Sequence, residues 1–268
     1  MEYRVSIIMG IYNCEATLDE AIQSVICQTY KNWELIMCDD GSTDDTYNKA
    51  KKYEKIYPNR IIVLRNKKNI RLAASLNRCL EVATGEYIAR MDADDINCPN
   101  RLEEQVAYLK SHEDVACVGT GMIIFDEDGD RSIRLSKEYP NKKCMIHNAP
   151  FAHPTIMMRK KVFDELGGYK SSKDTIRAED LELWFRFMAK GYKGYVIQKP
   201  LYRYRESIID FQKRDLKAAI GTTKVFLNGY KLLDFPFYVY IFAFKPIISS
   251  LIPKKLMFLY HYKKDSRK

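Results

Sequence analysis

Three aspartates lie within four positions of the sequence, at Asp92, Asp94 and Asp95, directly after the apolar residues 87–91. Carboxylates this close together repel one another unless another group offsets their charge. Aspartate is common in turns and at helix N-caps, so a simple turn explains part of the cluster. A divalent cation held by the carboxylates would instead cancel the repulsion. These residues by themselves leave both interpretations open.

A second acidic pair, Asp39 and Asp40, follows another apolar run at residues 33–38. Further apolar runs at 5–11 and 60–64 alternate with amphipathic segments, which predicts a β-α-β-α-β-α-β order. That order indicates a mostly parallel sheet with right-handed crossovers. Ligands bind at the carboxyl ends of the strands in such sheets, so we expect both acidic clusters to face one crevice.

The second half of the chain is less regular. We predict a helix opened by Pro99, one or two strands over 115–125, a polar turn at 126–130 and a helix beginning near Glu179. Short strands are predicted at 155–158 and 195–198. No internal repeat or low-complexity linker occurs before about residue 206.

The overall composition limits the classes of function. The chain has 268 residues, 46% of them hydrophobic, and a formal net charge of +9. A basic protein suits anionic partners such as nucleotides, pyrophosphates or phospholipid surfaces, and no nucleic-acid-binding motif is evident. The seven cysteines are scattered without a CxxC pair, which favours free thiols in a reducing compartment and no zinc site. The N-terminal apolar run is too short for a signal peptide.

Four segments in a fixed order resemble the family 2 glycosyltransferases of the GT-A fold. They read VSIIMGIYN, WELIMCDDGSTDDT, GEYIARMDADD and AEDLELWFRF, and the resemblance covers residues 3–206. It implies an α/β, Rossmann-like, mostly parallel sheet flanked by helices, and transfer of a sugar from a nucleotide diphosphate sugar with inversion. We expect a catalytic domain over 1–206, with a nucleotide-binding half (1–98) and an acceptor-binding half (99–206).

The resemblance assigns the acidic clusters to the donor. It implies that Asp94 binds Mn²⁺ or Mg²⁺ directly, that Asp92 contacts the ribose or the metal, and that Asp95 only caps the following turn. The cation would neutralise charge developing on the diphosphate leaving group. The further residues implied to bind the nucleotide sugar are Ile11, Tyr12, Asn13, Asp39, Asp40, Arg71, Ala93 and Arg205.

Glu179 and Asp180 match the family's ED motif, which supplies the general base, and Asp180 occupies the base position. Acidic residues at a helix start also interact favourably with the helix dipole, so a structural role is the alternative. His153 and Trp184 resemble acceptor-side positions, although both suit core packing equally well. The family usually has glycine where this chain has Arg71, which leaves the details of donor binding open.

The C-terminal residues 207–268 are predicted to form a basic, amphipathic helical tail. Residues 235–252 are apolar but interrupted by Pro236, Lys245 and Pro246, and the uninterrupted part is too short to span a membrane. The basic residues beyond them suit an anionic membrane surface; the alternatives are packing on the catalytic domain or on a second subunit in a homodimer.

These observations predict an inverting glycosyltransferase, a hexosyl- or N-acetylhexosaminyltransferase with a UDP-sugar as the expected donor. The acceptor is a glycan or a lipid-linked glycan at the cytoplasmic face of the membrane. A membrane-associated pseudoenzyme that binds nucleotide sugars is one alternative. A DxD-type phosphatase is another, but its motif follows the first strand of such folds, whereas this one follows the fourth. The segment after the first strand lacks the GxGxxG motif of a dinucleotide oxidoreductase.

Overall fold

A computed structural model describes residues 3–206 and 216–252 of the chain. Its first part alternates strands and helices as the sequence predicts. The elements are β1 (Val5–Ile11), α1 (Leu18–Ile26), β2 (Trp33–Asp39), α2 (Thr46–Ile56), β3 (Ile61–Arg65), α3 (Leu72–Val82) and β4 (Tyr87–Arg90).

The second part contains shorter and more varied elements. They are β5 (Ile96–Asn97), α4 (Arg101–Ser111), β6 (Val115–Asp126), β7 (Gly129–Arg134), β8 (Met157–Arg159), α5 (Lys160–Leu166), α6 (Glu179–Ala189) and β9 (Lys193–Arg205). Two 3₁₀ turns, Lys142–Ile146 and His153–Thr155, precede β8. The short strand predicted at 155–158 therefore begins two residues later, because His153–Thr155 forms a 3₁₀ turn. The strand predicted at 195–198 extends much further in both directions.

One sheet contains all of these strands, in the order β3-β2-β1-β4-β8-β6-β9-β5, with β7 paired to β6. Strands β3, β2, β1 and β4 are parallel neighbours, as predicted. Strand β8 lies antiparallel between β4 and β6, and β9 runs parallel to β6 along nearly its whole length. The sheet therefore runs through both predicted halves of the catalytic domain, and the boundary between the halves stays a prediction.

Apolar side chains pack on both faces of the sheet, because alternate residues of a strand point to opposite faces. Ile8 of β1 belongs to the cluster that includes Trp184 of α6, whereas the adjacent Ile7 packs with Leu18 of α1 on the other face. Burial on both faces explains why β1 and β2 read as continuous apolar runs.

The C-terminal residues 216–252 form α7 (Leu216–Leu232), a 3₁₀ segment (Phe237–Phe244) and α8 (Lys245–Ser250). Phe226 and Tyr230 of α7 pack edge-to-face against Phe185 of α6, with ring centroids 5.9 and 6.0 Å apart. Part of the predicted tail thus packs on the catalytic domain, while residues 207–215 and 253–268 lie outside the described residues. Within the described ranges, the helices are too short or too polar to cross a bilayer.

Candidate active site

The carboxyl ends of β1, β2 and β4 lie side by side, which brings the two acidic clusters to one edge of the sheet. Ile11 pairs in register with Asp39 of β2, and the backbone N–H of Met91 donates to the Ile8 carbonyl. The Thr17 hydroxyl donates to the Ala93 carbonyl at 3.0 Å, which ties the loop after β4 to the start of α1. The parallel order of the strands therefore produces the crevice that the sequence predicted.

Asp95 anchors the acidic loop to β9. Its buried carboxylate accepts hydrogen bonds from the Tyr202 hydroxyl and the Arg205 backbone N–H, both at 2.8 Å. Burial, and then the charges of Asp92 and Asp94, raise the pKa of this carboxyl well above its usual value. Asp95 therefore connects two distant strands, a role that goes beyond capping its own turn.

A buried arginine lies at the base of this loop. Arg90, the last residue of β4, is only 2% exposed, and its guanidinium pairs with the Asp92 carboxylate and the Met91 carbonyl. Burial lowers the pKa of Arg90, but the Asp92 carboxylate together with Tyr169 and Tyr202 outweighs that effect, so the net shift is upward and Arg90 stays cationic. Sequence analysis missed Arg90, although a charged residue inside the apolar run YIARM was a usable signal.

Asp92 and Asp94 remain the accessible carboxylates of the loop. The Asp92 side chain is 32% exposed beside Arg90, and Asp94 is exposed. Residues 3–206 and 216–252 contain no cluster of three or more His, Cys, Asp or Glu side chains suited to a metal ion. Mg²⁺ and Mn²⁺ bound to a diphosphate need only one or two protein carboxylates, so this pair fits such a cation.

Asp39 and Asp40 have different surroundings although they are adjacent. The fully buried Asp39 lies 3.2 Å from the Arg65 Nε and accepts from the Ser42 backbone N–H at 3.3 Å. That ion pair is made by the Asp39 Oδ2, which accepts no directed hydrogen bond from the described residues and so keeps a lone pair for a ligand N–H.

Asp40 instead holds the loop that leads into α3. Its carboxylate accepts from the Asn66 side-chain amide and the Ile70 backbone N–H, both at 2.8 Å, and from the Arg71 backbone N–H at 2.9 Å. Arg71 has φ 79° and ψ 159°, a conformation that glycine adopts far more easily than any L-residue. Arg71 therefore has the backbone conformation that glycine would adopt at this position. The hydrogen bonds from the Ile70 and Arg71 N–H groups to Asp40 stabilise that conformation.

The end of β1 is fixed by Asn13. Its side-chain oxygen accepts from the Thr43 backbone N–H at 2.9 Å, and its own N–H donates to the Ser42 hydroxyl at 3.0 Å. Tyr12 beside it is 48% exposed, whereas Ile11 is buried. The exposed ring therefore lies at the mouth of the crevice.

Glu179 and Asp180 occupy the first turn of α6, which follows the loop 171–177. Burial, and then the adjacent Asp180 charge, raise the pKa of Glu179 to about 7. Burial also raises the pKa of Asp180, while its hydrogen bond from the Leu181 backbone N–H and the positive charge of Arg90 oppose the rise. Arg90 thus acts electrostatically on both the acidic loop and the ED pair, so the two motifs share one site.

A cavity of about 510 Å³ opens beside these residues, a size typical of small-ligand sites. Its lining includes Ile11, Tyr12, Asp40, Arg71 and Glu179, together with the loop 171–177. Asp39, Asp92, Asp94 and Asp180 lie outside its lining, so the site consists of this cavity and the adjoining acidic edge of the sheet.

His153 and Trp184 lie together behind the ED pair. Their rings meet edge-to-face at 5.5 Å, and the His153 Nε2 lies 2.9 Å from the Tyr169 hydroxyl. Burial, and then the charge of Arg90, lower the pKa of His153 well below its usual value, so the ring is neutral. The His153 Nδ1 and the buried Trp184 Nε1 have no hydrogen-bond partner among the described residues. The acceptor roles assigned to both residues stay predictions.

Arg205 lies at the far side of the acidic loop. Its guanidinium donates to the Asp94 carbonyl at 2.9 Å and pairs with Glu20 at 2.6 Å. The guanidinium also stacks on Phe125 at 4.5 Å. These contacts hold the loop in place, and the phosphate contact predicted for Arg205 stays a prediction.

Comparisons with known proteins identify the family of this chain. Residues 6–167 match the family described as glycosyl transferase family 2. The chain is 47% identical to the putative glycosyltransferase EpsE of Bacillus subtilis, over 97% of this chain and 94% of the relative. It is 43% identical to the Escherichia coli UDP-Glc:alpha-D-GlcNAc-diphosphoundecaprenol beta-1,3-glucosyltransferase WfgD, over 81% of this chain and 83% of the relative.

A solved structure has the same fold. The mannosyltransferase PcManGT from Pyrobaculum calidifontis, in complex with GDP-Man and Mn²⁺, superimposes with a TM-score of 0.65 at 16% identity. The match covers all of this chain and 84% of that structure. The predicted fold class and the family resemblance are therefore confirmed.

Proposed function

This chain belongs to glycosyl transferase family 2, and we propose that it moves a sugar, with inversion, from a nucleotide diphosphate sugar to a hydroxyl of a lipid-linked glycan. The observation that carries the proposal is the convergence of the acidic loop and the ED pair on the buried Arg90. One motif supplies groups for a diphosphate leaving group and the other supplies a proton acceptor.

A UDP-sugar is the proposed donor. Asp39 offers a buried carboxylate oxygen that is ion-paired with Arg65 but accepts no directed hydrogen bond from the described residues, which suits the N–H of a pyrimidine ring. The relative WfgD is named for a UDP-Glc donor. A hexosyl donor agrees with that relative, and an N-acetylhexosaminyl donor is the alternative.

Asp94 and Asp92 are the residues proposed to hold Mn²⁺ or Mg²⁺ together with the donor diphosphate. When bound, such a cation neutralises the negative charge that develops on the departing nucleotide diphosphate. Asp95 keeps the two carboxylates in place through the hydrogen bonds that it accepts from Tyr202 and Arg205 of β9. The Mn²⁺ in the similar mannosyltransferase structure supports this choice of metal.

Asp180 is the proposed general base. Its carboxylate takes the proton of the acceptor hydroxyl while that oxygen attacks the anomeric carbon opposite the diphosphate. The upward shift of its pKa brings the carboxylate closer to the range in which a base accepts a proton efficiently near neutral pH. Glu179 lines the cavity beside it and is proposed to orient the acceptor.

We place the reaction at the cytoplasmic face of a membrane, with the protein bound peripherally. The relative WfgD is named for a diphosphoundecaprenol-linked acceptor, which resides in a bilayer. The C-terminal part of the chain exposes large apolar side chains, including Phe237 at 88% and Ile241 at 70% exposure. The predicted homodimer stays a prediction.

Incubation of the purified full chain with Mn²⁺ and a panel of nucleotide sugars tests the proposal. We expect slow hydrolysis of one donor without acceptor, and calorimetric binding of the same donor that weakens when EDTA removes the metal. Absence of both hydrolysis and binding for every donor would refute the proposed function. Binding without transfer to any supplied glycan would support the pseudoenzyme alternative.

A further inference from the structure

A second cavity of about 290 Å³ lies between α7, α8 and the loop that precedes α6. Three of its lining residues are Arg177, Lys245 and His147, and the remaining lining residues carry no carboxylate. Thr222, Ser249 and Ser250 also line it; the Thr222 and Ser250 hydroxyls donate to helix carbonyls and keep their lone pairs. A pocket with cationic and hydroxyl groups but no acidic group suits an anionic ligand such as a phosphate or diphosphate.

The two cavities share one residue. Arg177 lines the larger cavity beside Glu179 and also lines the smaller one. It has φ 62°, a left-handed conformation uncommon for a non-glycine residue, and its side chain is exposed. Because the cavities meet at Arg177, a ligand in the smaller cavity can extend a covalently attached group toward the ED pair.

An apolar surface adjoins the smaller cavity. The 3₁₀ segment Phe237–Phe244 leads directly into α8, which supplies Lys245, Pro246, Ser249 and Ser250 to the cavity wall. The exposed fractions of Phe237, Ile241, Ile248 and Leu251 are 88, 70, 62 and 72%. Several large exposed apolar side chains within this short stretch of the chain indicate a partner or a membrane, because water solvates them poorly.

We propose that the smaller cavity binds the diphosphate of a polyprenyl-diphosphate-linked acceptor while the apolar surface rests in the bilayer that holds its lipid chain. This inference rests on the proposed function and names its acceptor. A polyprenyl diphosphate combines a charged group with an apolar chain, and the structure places cationic and apolar surfaces side by side. A second protein copy would cover the apolar residues but gives no reason for a cation-lined pocket beside them.

The contacts of the cations agree with this role. Among residues 3–206 and 216–252, the Lys245 ammonium makes one long hydrogen bond, 3.4 Å, to the His147 carbonyl, and the His147 ring packs edge-to-face on Phe242 at 4.6 Å. The Tyr230 hydroxyl donates to the Ile146 carbonyl at 2.6 Å and fixes this wall of the cavity to α7. The site is therefore preformed, and its lysine can turn toward a phosphate at little cost.

Vesicle sedimentation of the full chain tests the proposal. The vesicles are phosphatidylcholine alone, phosphatidylcholine with a polyprenyl diphosphate, and phosphatidylcholine with phosphatidylglycerol at equal total charge. We expect the wild type to prefer the polyprenyl diphosphate, and Lys245→Ala and Arg177→Ala each to weaken that binding about tenfold, since each removes a charge-assisted hydrogen bond. Lys231→Ala, which removes an exposed charge from the end of α7, is the matched control.

Three results would overturn the inference. One is equal binding to both kinds of anionic vesicle; another is an equal loss of binding in Lys231→Ala and Lys245→Ala. The third is that light scattering shows a dimer, and that the double substitution Phe237→Ser with Ile241→Ser dissociates this dimer without changing vesicle binding.

Inorganic pyrophosphate provides a competition experiment. If pyrophosphate competes with the polyprenyl diphosphate vesicles, the result supports a diphosphate site, and lack of competition contradicts it. Calorimetric titration of the wild type with nucleotide sugars tests the proposed function separately. Failure of the acceptor-site inference is therefore distinguishable from failure of the proposed function.

Discussion

Arg90 connects the residues on which the proposed chemistry depends. A buried guanidinium is costly unless carboxylates or carbonyls pair with it, and Asp92 and the Met91 carbonyl do so here. Burial is the largest influence on the pKa values of Glu179, Asp180 and His153; the charge of Arg90 opposes it for the two carboxyls and adds to it for the imidazole. One buried cation therefore modulates the protonation of groups from separate segments of the chain.

Replacement of the proposed base should separate chemistry from donor binding. We expect Asp180→Asn to lower kcat by about 10²- to 10⁴-fold, the usual contribution of a general base, with little change in donor affinity. Transfer assays and calorimetry measure the two effects. The control is Asp164→Asn, which removes an exposed carboxylate paired with Lys160. Loss of donor binding in Asp180→Asn would reject its assignment as the base.

The raised pKa of Glu179 predicts a pH-dependent stability. The folded-state pKa of about 7 exceeds the ordinary value of 4.5, so the folded protein binds the proton more tightly than the unfolded chain. Stability from this group is therefore complete below the lower value and is lost as the pH rises through about 7.

Glu179→Gln should remove this dependence, because glutamine does not titrate. We expect the difference between the Tm at about pH 5 and that at about pH 8 to be smaller in the variant than in the wild type. Thermal unfolding of Glu81→Gln, a change at an exposed site on α3, is the control. An unchanged difference in Glu179→Gln would show that its carboxyl titrates normally.

Substitutions of Arg71 can separate the effect of backbone strain on stability from the effect of the side-chain charge on donor binding. Arg71→Gly should raise the free energy of unfolding by about 1 kcal/mol, because glycine adopts φ 79° without steric strain. Arg71→Ala removes the same charge but keeps the strain, so it should bring no such gain. If the guanidinium contacts the donor diphosphate, both variants should weaken donor binding about tenfold. Urea unfolding and calorimetry measure the two quantities, and equal stability of the two variants would exclude strain at this position.

At the level of elements, β9 does more than complete the sheet. Its residues Tyr202 and Arg205 hold Asp95, and the Tyr202 hydroxyl also accepts from the Asp92 backbone N–H at 3.2 Å. The acidic loop therefore takes its shape from a strand more than 100 positions away in the sequence. The loop is held at the sheet edge by the packing of β9 against β6 and β5.

Tyr202→Phe tests this support. The change keeps the ring beneath Arg101 but leaves the Asp95 carboxylate and the Asp92 N–H without the hydroxyl. We expect a loss of about 1–3 kcal/mol in the free energy of unfolding and weaker Mn²⁺-dependent donor binding. Tyr195→Phe, on the same strand but bonded to the exposed Glu138, should change neither quantity. Normal donor binding in Tyr202→Phe would mean that the loop keeps its shape without β9.

At the level of the whole molecule, the C-terminal helices pack on the catalytic domain through a close contact between α7 and α6. A Cβ at Gly229 would lie 2.3 Å from atoms of the Phe185 ring, so only glycine permits this approach. This contact places α8 and the exposed apolar surface beside the smaller cavity, which meets the cavity of Glu179 at Arg177. The position of the proposed acceptor site therefore depends on a helix–helix contact outside the family-matched residues 6–167.

Gly229→Ala should disrupt this contact. Alanine favours helices more than glycine does, but the overpacking against Phe185 should lower the free energy of unfolding by about 1–3 kcal/mol. Asn228→Ala, at the adjacent exposed position, makes the same gain in helix propensity without a clash and should be neutral or slightly stabilising. Denaturant unfolding distinguishes the two. Equal stability of both variants would show that α7 adjusts freely against α6.

The sequence by itself determined the parallel half of the fold and the position of the acidic clusters. Apolar runs, helical periodicity and polar strand ends are local signals, and parallel order then brings Asp39 and Asp92 to one edge. Those signals also placed the ED pair at a helix start. They did not predict the antiparallel insertion of the three-residue β8, because so short a strand carries almost no periodicity of its own.

Only the tertiary structure decided which charged side chains meet. Asp95 with Tyr202 and Arg205 with Glu20 are contacts between residues far apart in the sequence, and the charge of Arg90 acts over a longer range on the ED pair. The second cavity likewise requires the packing of α7 on α6. Local patterns specify where a strand or helix begins and ends, but burial and charge pairing depend on neighbours that only the folded chain brings together. For that reason the sequence motifs identified the residues of the site, and the structure identified the residues that hold them in place.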